Sequence, residues 1–160
     1  MLDCVEKLRD FPAADCAALL ALVFHDAVYT AGRDDNEAKS AALAREILAP
    51  YIALEELADI ERMILATQHH EPSDDPRMAA VLDVDMSILG APWPRYLAYA
   101  DAVRREYAIP RQRFDAGRAA FLSKLLQSPA IFRTPPGRAK WEAQARDNIA
   151  RELRSLRTSA

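Results

Sequence analysis

The chain of 160 residues has little glycine, four residues, and little cysteine, two. So few glycines, with almost no alternating β-branched runs, argue against sheet and leave helical periodicity as the dominant pattern. Cys4 and Cys16 form no CxxC unit and have no second pair. That gives neither a zinc signature nor a disulfide framework and fits a reducing, cytoplasmic setting. No apolar run approaches the roughly 20 residues that cross a bilayer. The opening stretch "MLDCVEKLRDF" lacks the charged-then-apolar order of a signal segment. A net charge of -3 argues against a general nucleic-acid or anionic-membrane binder, leaving at most a local basic patch.

What is present is an ordinary globular composition, 51% hydrophobic and 28% charged. The length is that of one domain, 1–160, able to bury about two-thirds of its unfolded surface. The periodicity predicts a short helix over Leu2–Leu8 and a longer one over Ala13–Tyr29. Asp34 with Glu37 resembles a capping box opening a helix to Leu48, which Pro50 ends. A fourth helix is expected over Leu54–His69. A fifth runs from an Asp75-Pro76 start to a stop at Gly90. Further helices read as Pro94–Tyr107, Pro110–Gln127 and Ala139–Leu156, with "SPAIFRTPPG" as a proline-rich connector. The fold class is all-α.

Within "LALVFHDAVYTAGRDDNE" the pair His25-Asp26 ends a run that is apolar on nearly every helical face. A helix of that kind is normally buried, and a buried ionisable pair needs a partner. In the fifth helix Asp85 falls in the middle of a stripe formed by Met78, Val81, Leu82, Ile88 and Leu89. Asp83 falls nearly opposite, beside Ser87, and faces away from the core. Aspartates are rarely fully buried unless paired, so Asp85 is a ligand candidate, or else it caps a neighbouring helix or meets a buried arginine. The fourth helix presents Leu57, Ile60, Ile64 and Thr67, with His70 at the edge of that face and His69 pointing elsewhere. Histidines also suit a helix C-terminus through the macrodipole alone. His25, Asp26 and Asp85 make a plausible nitrogen and oxygen site for a divalent metal ion, with Mn, Fe, Mg, Zn, Ni and Co all compatible.

The segments "FHDAVY", "DNEAKSA", "ATQHH", "LDVDMSILG", "YADAVRREY", "GRAAFL" and "ARDNIARELRSL" occur in order over nearly the whole chain. In this the chain resembles the HD superfamily of metal-dependent phosphohydrolases, and a small bacterial branch of it in particular. The resemblance implies an HD-type helical bundle and a metal-dependent phosphohydrolase acting on a nucleotide or small phosphate ester. It makes His25 and Asp26 the metal pair and Asp85 the distal aspartate ligand. His70 becomes an added ligand or a substrate contact. It leaves Thr67, Asn36-Glu37, Glu106 and Tyr107 at motif positions without roles. Asp26 would also orient the attacking water or accept its proton. Arg104 and Arg118 are the phosphate candidates because a guanidinium offers a planar donor fork, with a structural ion pair as the other explanation of each.

One departure stands out. The family pattern carries a histidine on a helix before the His-Asp pair, and no histidine precedes His25 here. The expectation is therefore a chain truncated at its N-terminus relative to the family. The alternative is a catalytically degenerate HD-like domain that binds a nucleotide or a protein partner without turnover.

Overall fold

The computed structural model describes residues 6–158, and every regular element among them is helical, with no strand. Cys4 and most of the Leu2–Leu8 helix lie outside the described residues; residues 6–8 are helical. The helices divide into two compact units, the first ending at Asp85 and the second beginning at Met86. No helix among the described residues is long and apolar enough to cross a membrane.

The first unit contains α1 (Cys16–Phe24), α2 (Asn36–Leu48), α3 (Leu54–Ala66) and α4 (Pro76–Asp85). α3 carries the cleanest pattern: Leu57, Ile60, Met63 and Ile64 recur at helical spacing and are fully buried. They lie within a unit where α1 contributes Ala17, Ala18, Ala21 and Leu22. The three alanines let the α1 backbone approach closely, since little side chain intervenes. Arg77 of α4 reaches Asp59 of α3 at 2.7 Å and Asp15 at the start of α1 at 3.3 Å, tying the starts of α4 and α1 to the middle of α3.

Helix ends follow local chemistry, and here the expectations need correction. α1 begins later than expected because Asp15 caps it, accepting from the Ala18 amide at 2.9 Å. It also stops at Phe24, not Tyr29, so His25-Asp26 stands in the turn that follows. Asp34 caps nothing. The cap position is Asp35, whose carboxylate is taken by Arg33 at 2.6 Å and Lys39 at 2.9 Å, leaving no side-chain cap bond. Asp75 does cap α4, accepting from the amides of Arg77 at 2.9 Å and Met78 at 3.4 Å.

The second unit opens with a 3-10 helix, Met86–Gly90, so the expected stop at Gly90 is reached after α4 has ended. Gly90 serves close approach: a Cβ there would stand 2.5 Å from Trp141 Cβ and 2.8 Å from its carbonyl oxygen. α5 (Trp93–Glu106) and α6 (Arg111–Gln127) follow. The proline-rich connector is partly helical. Thr134 caps a single turn, Pro135–Gly137, which passes through a π-helical stretch, Arg138–Glu142, into α7 (Ala143–Thr158). Buried Asn148 on α7 donates to the carbonyls of Leu89 and Ala91, both at 2.8 Å. Those bonds satisfy carbonyls left open at the 3-10 helix end.

Candidate functional site

Three places in the first unit bring the predicted metal residues together: the turn after α1, the loop after α3 and the last residue of α4. His25 continues α1 by one amide bond, its N–H donating to the Ala21 carbonyl at 2.9 Å. Its ring is oriented by Nδ1, which donates to the Leu22 carbonyl at 2.8 Å. Nε2 therefore faces away from the helix, 3.2 Å from Asp26 Oδ2 and 3.3 Å from Asp85 Oδ1.

His70 reaches the same carboxylate from the other side. Its Nε2 lies 2.8 Å from Asp85 Oδ2, so each Asp85 oxygen meets one imidazole. The loop achieves this with His70 at φ 51, the left-handed region that side chains other than glycine seldom enter. His69, the adjacent residue, is exposed. Thr67 is buried, and its hydroxyl donates to the Ile64 carbonyl at 2.7 Å, which closes α3 and starts the turn.

The turn bearing His25 and Asp26 is held on its far side by α2. Asn36 accepts from the Thr30 amide and donates to the Thr30 carbonyl, both at 3.0 Å. Ser40 accepts from the Val28 amide at 3.0 Å and donates to the Val28 carbonyl at 3.3 Å. These bonds replace the helical ones that would have carried α1 on to Tyr29. Neither role was visible in the motif "DNEAKSA", although two polar residues at i and i+4 in a helix were the available signal.

The electrostatics follow from the contacts. Burial alone would push His25 down, but hydrogen bonds with Asp26 and Asp85 outweigh it and push the imidazole up to about 11. For Asp85 burial favours the neutral acid, yet the bonds from His25 and His70 win and hold the carboxyl well below its usual range. In the cluster as it lies, Asp85 thus meets both imidazoles and His25 meets both carboxylates. Among the described residues no three His, Cys, Asp or Glu side chains are disposed around one point as the ligands of a metal ion. Exposure separates the two acids: the Asp26 side chain is 62% exposed and that of Asp85 is 23%.

Asp83 departs from its expected place. It is fully buried, because α4 is buried around its whole circumference from Met78 to Val84 and has no outward face.

Arg104 and Arg118 belong to the second unit, and both are engaged there. Arg104 donates to the carbonyls of Tyr107 at 3.0 Å and Ile109 at 3.1 Å, closing the end of α5, and stacks 5.0 Å from the Phe114 ring centre. Arg118 forms a largely buried fork with Glu152, at 2.8 and 3.2 Å, and Tyr96 donates its hydroxyl to the same carboxylate. Glu106 is exposed and Tyr107 packs on Phe114 at 5.6 Å. A cavity of about 500 Å3 in the first unit is lined by Asp15, Glu55, Glu56, Asp59 and Arg77 and shares no residue with the His-Asp cluster.

No protein-family model, no curated protein and no solved structure matches the chain.

Proposed function

We propose that the chain is a metal-dependent phosphohydrolase of HD type, acting on a nucleotide or a small phosphate ester. The observation that carries this reading is the position of Asp85, with one oxygen toward His25 and the other toward His70. Asp26 completes the set from the same turn as His25.

The donor set fits a divalent cation in kind, two imidazoles with two carboxylates. In spacing the donors match in pairs, since donors sharing one small cation at bonds of about 2.0–2.2 Å stand about 3 Å apart, while no three of them converge on one point in the metal-free chain. The Nε2 of His25 lies 3.2 and 3.3 Å from its two carboxylate neighbours. The bond from His25 Nδ1 to the Leu22 carbonyl is the kind of outer contact that orients a ligating imidazole and leaves Nε2 to the ion. His25, Asp26, Asp85 and His70 would hold the ion, whose chemistry is Lewis acidity at a phosphoryl oxygen and an acidified water.

The division of labour follows from exposure. Asp85, enclosed between two imidazoles, holds charge in place. Asp26, 62% exposed, is the carboxylate a substrate water can reach, and it orients that water and accepts its proton. The assignment of Arg104 and Arg118 to substrate phosphate has less support, because their guanidinium groups already brace the second unit.

A second reading, a domain that binds a nucleotide or protein partner without turnover, is favoured by the way the imidazoles and carboxylates of the cluster already partner one another. Phosphate release from a panel of nucleotides and phosphate esters, with Mn2+, Mg2+ or Zn2+ added in turn, separates the two. The hydrolase reading expects metal-dependent release that Asp26→Asn abolishes even where the metal concentration is raised to reload the site. Tight nucleotide binding without release, under every metal, selects the second reading.

A further inference from the structure

We infer that Asn36 and Ser40 are positioning residues for the His25-Asp26 turn, and that metal affinity depends on their grip. The inference rests on the metal site proposed above. Both side chains lie on one face of α2, at i and i+4, and both are buried. Each makes one bond to an amide and one to a carbonyl of a single residue, Thr30 for Asn36 and Val28 for Ser40.

Geometry explains why this pairing works. Positions i and i+4 of a helix stand about 6 Å apart along its axis. Alternate residues of an extended chain stand about 6.6 Å apart with their amides and carbonyls on one side. One face of α2 therefore does for the segment after Asp26 what a neighbouring strand would do. Glu37, between them in sequence, takes no part in these bonds.

The consequence falls on the site because the turn is short. Its near end is fixed by α1, through the bonds from the His25 amide to Ala21 and from the Ala27 amide to Phe24, each 2.9 Å. Its far end is fixed at Val28, two residues beyond Asp26, by Ser40. Free the far end and the turn is anchored at one side only. Asp26 then loses its fixed bearing on His25, while α1, α3 and α4 keep their own contacts, the bonds of His25 to Ala21 and Leu22 among them.

The test compares Ser40→Ala and the double variant Asn36→Ala/Ser40→Ala with Asn148→Ala, a buried-amide loss in the second unit of similar chemical size. All are studied at a temperature where circular dichroism shows them folded. Mn2+ titration by electron paramagnetic resonance is expected to show affinity reduced by about tenfold or more in Ser40→Ala, and unchanged in Asn148→Ala. If the double variant does not fold, Ser40→Ala alone decides. Affinity in Ser40→Ala within about twofold of the native chain, with stability reduced, would make the contact merely structural. If the native chain takes up no Mn2+, the metal reading has failed, and the metal-free arm decides this claim. There the nuclear Overhauser contact between the His25 ring and the Asp26 methylene is expected to be lost in the double variant, or in Ser40→Ala if that variant alone folds. Its retention in the variant that decides overturns the inference.

Discussion

His70 stands at φ 51 and places its Nε2 2.8 Å from Asp85 Oδ2. A left-handed backbone costs a residue with a side chain roughly 1–2 kcal/mol. The loop after α3 accepts that cost at the residue whose imidazole meets the enclosed carboxylate. Strain kept at such a place is a reason to look for function there.

Replacing His70 by glycine removes the ring and the backbone strain together. His70→Gly is expected to lower metal affinity at least about tenfold while changing stability by no more than about 1 kcal/mol. Metal titration beside urea denaturation checks it. A large loss of stability with unchanged affinity would assign His70 to folding alone.

The charge cluster also sets a pH window for the metal-free chain. His25 rises from 6.5 to about 11, so its contribution is full below pH 6.5 and is lost as pH climbs through 11. Asp85 falls below 3.8, so its contribution is present above pH 3.8 and is lost as pH drops through the folded value. The two shifts describe one cluster and are counted once. The gap in urea midpoint between the native chain and His25→Gln should be widest between about pH 4 and 6.5 and should narrow toward pH 9. A gap that widens from pH 6.5 to 9 would contradict this assignment of charge.

In the second unit, Arg118 and Glu152 form a pair whose side chains are 8% and 12% exposed. Breaking such a pair leaves a charge buried without compensation. Glu152→Ala is therefore expected to cost about 3–5 kcal/mol in chemical denaturation. Adding Arg118→Met should recover a large part of that loss, because it removes the stranded charge. A cost under about 1 kcal/mol for Glu152→Ala would show the pair to be solvated in solution.

How much of this was legible in the sequence depended on whether an element has two distinct faces. α3 does, and the stripe expected from Leu57, Ile60, Ile64 and Thr67 is the one it buries. α4 does not: it is buried on all sides from Met78 to Val84, so a phase that put Asp85 in the core and Asp83 outside misread it, and Asp83 is the fully buried one while Asp85, the last residue of the helix, is 23% exposed. The end of α1 was hidden because it is decided by Asn36 and Ser40, on another helix, and not by any local stop signal. The cap of α2 was misplaced by one residue since Arg33 and Lys39 compete for the Asp35 carboxylate. Arg118 looked like a phosphate ligand because Glu152, which engages it, is not local in sequence, and Arg104 did because the groups it meets are backbone carbonyls and a ring face, which no residue pattern marks.

The most direct measurement is metal content by elemental analysis after stripping and reloading, comparing the native chain with Asp85→Asn. That substitution keeps the size of the side chain and removes the charge that faces both His25 and His70. Stoichiometric metal in the native chain and little in the variant is the expected result. Equal metal in both, or none in the native chain, would contradict a metal centre built on Asp85.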